Sequence, residues 1–165
     1  MVPKNSEIEA ALVEHQRLFV ADEHAETIAE QRRAALDAME LLDEFEPRLV
    51  GPVLAGTATP HQEISLHVFS DTPELVSFRL MDAGVKYRVL QHRVKMNAER
   101  VLQYPAIAFA SGDFEIDATV FPKDGIRQSP LSPTDGKPMK RADRTEVEML
   151  IDEAANDEPE PAGWR

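Results

Sequence analysis

Cysteine is absent from the 165 residues, which excludes a disulfide framework and any thiolate-bound metal. A metal would have to be held by carboxylate, imidazole or hydroxyl groups, and such ligands suit Mg²⁺ or Mn²⁺ better than structural zinc. Long apolar runs are missing too, since none approaches the roughly 20 residues that a membrane helix needs. The start, MVPKNSEIEA, has neither the basic nor the apolar region of a secretory signal. A cytoplasmic location and no membrane partner are the expectations. Basic residues are in short supply, 18 against 30 acidic for a net charge of -12, which makes nonspecific nucleic-acid binding unfavourable.

The acidic excess lies at the ends. Residues 1–46 hold 4 basic and 12 acidic side chains and residues 145–165 hold 1 and 7, leaving 13 basic against 11 acidic in residues 47–144. Acidic helices wrapped around a near-neutral middle account for this distribution. The sharper reading is a middle that tolerates a polyanionic ligand such as a nucleotide. A hydrophobic fraction of 42% is enough to build one core, so residues 1–155 are read as one domain.

Helical spacing governs residues 1–46. Ser6 and Glu9 have capping-box spacing ahead of Ile8, Leu12 and Phe19, and Thr27 and Glu30 repeat it ahead of a stripe from Ile28 to Phe45 that stops before Pro47. Two helices are expected there. The pattern then changes to short apolar runs over 49–55, 64–69, 85–90, 106–110 and 114–121, which fit five strands. Between the second and third, Asp71, Pro73 and Glu74 open a crossover helix carrying Leu75, Val76 and Leu80 and closed by Gly84. Gly112-Asp113 reads as a hairpin turn. Residues 122–142 hold too many Pro and Gly for a regular element, but Ile126, Leu131 and Met139 give them something to bury, so an ordered basic loop is expected. Asp143 and Glu146 cap a last helix over 143–155, and 156–165 reads as an acidic mobile tail in which Trp164 is a loose residue.

These elements make an α+β domain, with a mixed sheet of about five strands in the core at 47–121 and helices packed mainly on one face. Strand side chains alternate. Glu63, Ser65 and His67 therefore share one face of the second strand, opposite Ile64, Leu66 and Val68. Glu115, Asp117 and Thr119 share one face of the last, and Asp is disfavoured inside strands. If the two strands are neighbours, Glu63 and Asp117 meet. His15, His24, His61 and His92 show no metal-ligand spacing.

On these residues the chain resembles the nucleotidyltransferase superfamily that includes DNA polymerase beta, over residues 30 to 121. Members carry a Gly-Ser or Gly-Gly turn after the first strand, two Asp residues one apart on the next strand and a third carboxylate on a later one. Gly56-Thr57 takes the place of the turn, Glu63 and Ser65 of the paired Asp residues, and Asp117 of the third carboxylate. The metal-binding motif is degenerate, because Ser65 brings no anionic charge to a divalent cation. The resemblance implies transfer of a nucleoside monophosphate from a nucleoside triphosphate to an unidentified acceptor hydroxyl, with Mg²⁺ or Mn²⁺ as cofactor. In this reading Glu63 and Asp117 are catalytic, and His67 and Glu115 join them in holding metal. Gly56, Thr57, Ser65, Arg127, Lys140 and Arg141 bind nucleotide, with backbone N–H groups of the Gly-Thr turn meeting the terminal phosphates. The alternative is a catalytically inactive member of the fold that serves as a binding or regulatory module for a protein partner. Gly after a strand is also ordinary turn punctuation, and the polar face of residues 63–67 can be a solvated one.

Overall fold

A computed structural model describes residues 5–156, with side chains from residue 21 onward. The tail from residue 157, Trp164 and the caps read at Ser6 and Glu9 lie outside the described residues. The chain forms an α+β fold with a five-stranded mixed sheet and four helices. Helix α1 runs from Asn5 to Leu41, where two helices were expected. Nothing between Phe19 and Thr27 breaks it: the segment holds no Pro or Gly, and Thr27 lies inside a continuous helix instead of capping a new one.

The expected strand over 49–55 is a strand for two residues only. β1 is Arg48–Val50, and Gly51, with φ +76°, turns the chain into the short helix α2, Gly51–Ala55. Pro52 fits this turn as a first-turn helix residue, whereas in a continuing strand it would remove a ladder donor. β2 (Ile64–Phe69) and β5 (Phe114–Phe121) occupy the expected ranges. Between them come α3 (Glu74–Asp82), β3 (Tyr87–Lys95) and β4 (Val101–Ser111). The Asp71 carboxylate accepts a hydrogen bond from Lys123 N–H at 3.0 Å and does not cap α3. The box at Asp143 and Glu146 does form, in both directions, at the start of α4, Arg144–Asn156.

Strand order is β1-β2-β5-β4-β3, with β2 and β5 parallel and the other pairs antiparallel. The β3–β4 hairpin is longer than the apolar runs suggest. Its ladder continues to Lys95 and Val101, beyond the β4–β5 ladder that starts at Ala106. Pro105 marks that limit, since it has no N–H to offer a third strand. Gly112, at φ +58°, makes the two-residue turn between Ser111 and Phe114.

One cluster joins Met39 of α1, Leu42 just after it, Val53 of α2, Val76 and Leu80 of α3 and Val147 of α4 to Ile64, Leu66, Val68, Ile116 and Val120 of the sheet. The apolar side chains of all four helices therefore meet the same sheet face. Polar side chains of α1 fix α2 and the segment after it. Arg32 donates to the carbonyls of Val53 at 3.1 Å and Leu54 at 2.9 Å, and Gln31 donates to Thr59 O at 2.8 Å. Leu66→Ala removes a side chain with no exposed surface in the middle of the sheet. It is expected to cost about 3 kcal/mol in urea unfolding, whereas Phe78→Ala on the exposed side of α3 should stay within about 0.5 kcal/mol.

Candidate functional site

The second face of the sheet carries the alternating polar residues. Ser65 stands opposite Asp117 and His67 opposite Thr119 in the parallel β2–β5 register. One end of this face is covered, however. His67 is buried, as are Phe69 and Phe121 beside it, because Arg141 of the 122–142 loop folds over them. Its guanidinium carbon lies 4.9 Å from the Phe69 ring centroid and 5.3 Å from that of Phe121, within the range of cation–π attraction. Its Nε donates to His67 Nδ1 at 3.1 Å and its Nη1 to Gly125 O at 2.9 Å. Because Nδ1 accepts this bond, the proton of the neutral ring is assigned to Nε2. Burial, and then the Arg141 charge, lower the His67 pKa to about 3. Burial, and then Arg48, lower that of Arg141 to about 10, so it remains a cation at neutral pH.

Asp117 has a partner of its own. His92 Nε2 lies 2.7 and 2.9 Å from the two carboxylate oxygens. Strand β4 separates the two residues: His92 is paired with Tyr104, and the small side chains of Ala106 and Ala108 toward Asp117 leave room for the imidazole to reach across. His92 was missed in the sequence because the third strand was read as ending at Leu90. Extended by two residues, the alternation of Arg88 and Leu90 places His92 on the polar face. Glu115, two positions from Asp117, forms an ion pair with Arg88. Glu63 is exposed, precedes the first residue of β2 and makes no hydrogen bond or ion pair among the described residues. The carboxylate pair expected of Glu63 and Asp117 is therefore replaced by Ser65 and Asp117.

Mg²⁺ or Mn²⁺ does not fit this arrangement. Among the described residues no group of three His, Asp or Glu side chains is placed to hold a metal. Of the four ligands expected, His67 is held by Arg141, Asp117 by His92 and Glu115 by Arg88, and Glu63 stands apart.

The Gly-Thr turn also has a different role from the one expected. Gly56, at φ +83°, is the C-cap of α2, and the N–H groups of Gly56 and Thr57 both donate to Pro52 O, at 2.8 and 2.9 Å. Neither is free for a phosphate. His24 Nε2 lies 2.9 Å from Gly56 O, which ties the turn to α1. The glycine turn that does follow the first strand is Gly51-Pro52, and Pro52, unsuited to a central strand, was the signal for it.

A cavity of about 860 Å³ opens between α2, residues 132–142 and α4, lined among others by Thr57, Ser132, Lys137, Lys140 and Arg141. Three of the six expected nucleotide-binding residues, Thr57, Lys140 and Arg141, come together there, whereas Gly56, Ser65 and Arg127 do not line it. Lys137 and Lys140 have no ion pair among the described residues. Two of the cavity's carboxylates are engaged locally, Asp135 by Lys137 N–H and Glu146 by Asp143 N–H. Nη2 of Arg141 is buried and has no hydrogen-bond partner among the described residues.

No family model, curated protein or solved structure matches the chain.

The folded chain resists protonation of His67, which the unfolded chain accepts near pH 6.5. Its contribution to stability is complete above about pH 6.5 and is lost as the pH falls toward 3, by about 1.4 kcal/mol per pH unit at most. His67→Gln, which keeps an acceptor for Arg141, should flatten the dependence of melting temperature on pH between about 6 and 4. Equal slopes for the two proteins would show that His67 is not the group responsible.

Proposed function

We propose that this protein is a nucleotidyltransferase-like domain that binds a nucleotide as a binding or regulatory module and does not carry out metal-dependent transfer. The pairing of Ser65 with Asp117 carries this reading. Two-metal phosphoryl transfer needs anionic oxygens bridging the ions, and the register sets a neutral hydroxyl beside the single carboxylate, which is itself bound to His92. The likeness to the family is supported by the order helix, strand, glycine turn and short helix, strand, helix, strand, hairpin. It is also supported by the adjacency of the two strands that would carry its carboxylates.

The nucleotide reading rests on the cavity beside α2. Two lysines without ion-pair partners and a partly buried arginine line it, and a triphosphate supplies the acceptor oxygens such groups take up. Its volume falls within the usual range for small-molecule sites. Titration of the full chain with each of the four ribonucleoside triphosphates by calorimetry should give saturable binding, weakened roughly tenfold by Lys140→Ala. Absence of binding by all four would refute the nucleotide reading.

The loss of transfer chemistry has its own test. Ser65→Asp sets two carboxylates side by side across β2 and β5, so millimolar Mn²⁺ should raise the melting temperature of the variant by mass action on the folded state. The wild type should respond little. A large Mn²⁺ response in the wild type, or pyrophosphate release from any of the four nucleotides, would overturn the inactive reading.

A further inference from the structure

Strand β3 forms one edge of the sheet and pairs only with β4. The ladder fixes which of its backbone groups face outward. Met96 N–H donates to Arg100 O, and Lys95 O accepts from Leu131 N–H in the loop. Lys95 therefore points away from β4, and in an antiparallel pair every second residue shares that orientation. Tyr87, Val89, Gln91 and Arg93 turn their N–H and C=O groups outward, and none of these groups has a partner among the described residues. Such an edge is a template for a further strand.

Its charge is opposite to that of the rest of the molecule. Residues 86–100 hold five basic side chains, Lys86, Arg88, Arg93, Lys95 and Arg100, against the single acidic Glu99, in a chain with a net charge of -12. Arg88 is paired with Glu115. The other four are exposed and have no ion pair or side-chain hydrogen bond among the described residues. Like charges facing each other would oppose pairing of this edge with a second copy of itself, whereas an acidic strand would satisfy both the backbone groups and the cations. Val89, 59% exposed on the same edge, offers an apolar contact between them.

We propose that β3 is a docking edge for an extended acidic segment of a partner protein, which adds to the sheet as a sixth strand antiparallel or parallel to β3. The outward backbone groups of residues 87–93 supply the pairing. Arg93 and Lys95 select carboxylate side chains, and Val89, on the same face of the strand, meets an apolar residue further along the partner.

A short, end-blocked fluorescent peptide of the repeat Glu-Thr-Val-Thr, which sets glutamate and valine on one face of a strand, serves as probe, with the full chain and anisotropy as readout. Binding should saturate, exceed that of the matching peptide with lysine in place of glutamate by at least about tenfold, and weaken as salt rises from about 50 to 500 mM. Methylation of alternate peptide nitrogens should abolish it with the wild-type protein, because the peptide then cannot donate to the edge. Gln91→Pro, which removes an outward N–H without touching the ladder to β4, and the double variant Arg93→Glu/Lys95→Glu should each weaken it by at least about tenfold. Full binding of the methylated peptide would overturn strand addition in favour of charge attraction alone. Tighter binding of oligothymidylate than of the peptide would replace the proposal with a nucleic-acid surface, and absence of saturable binding would end it.

Discussion

The clamp between α1 and the segment that follows β1 is the constraint on which the site depends. A five-residue helix cannot satisfy its own carbonyls, and α2 ends where the chain must cross to β2. Arg32 supplies the missing donors to Val53 and Leu54, and Gln31 reaches Thr59 further along. Gln31 is fully buried for this purpose, and its own Oε1 has no partner among the described residues, a cost that the bond to Thr59 offsets only in part. Removing these side chains would free the segment that walls one side of the cavity.

The two faces of the sheet solve different problems. On the helix face, burial is apolar and the alternation of Ile64, Leu66 and Val68 suffices. On the other face His67 and Thr119 are buried polar residues, and loop residues compensate for part of that burial. Arg141 serves as hydrogen-bond donor, cation over two phenylalanine rings and link to Gly125. The loop is ordered because it covers this face, and the face tolerates polar groups because the loop supplies partners for them.

The sequence made some of this legible and hid the rest for identifiable reasons. β2 and β5 could be read directly because apolar runs bounded by polar residues mark buried central strands. β1 could not, since a strand and a short buried helix share the apolar run Leu49 to Ala55, and only Pro52 distinguishes them. α1 read as two helices because capping-box residues occur by chance inside long helices. At the candidate site, strand pairing and alternation together brought Asp117 toward β2, but register decides which residue it meets. A shift of two residues along β2 separates Glu63 from Ser65, and no local pattern encodes it. His67 was read as a metal ligand or as part of a solvated face, because the loop that buries it is distant in sequence.

The outer part of the β3–β4 hairpin, beyond Pro105, is a ribbon of two strands with no third strand to support it. Ribbons of this kind are barely stable in isolation, so its order is borrowed from elsewhere, from His92 on Asp117 and from Leu131 on Lys95. The first anchor lies on the sheet face that carries Asp117, and the second is a backbone bond from the loop to the outer edge of β3. Backbone amides of residues 92–102 should therefore exchange with solvent as one cooperative unit, and the opening of that unit couples the far end of the molecule to the interior around Asp117.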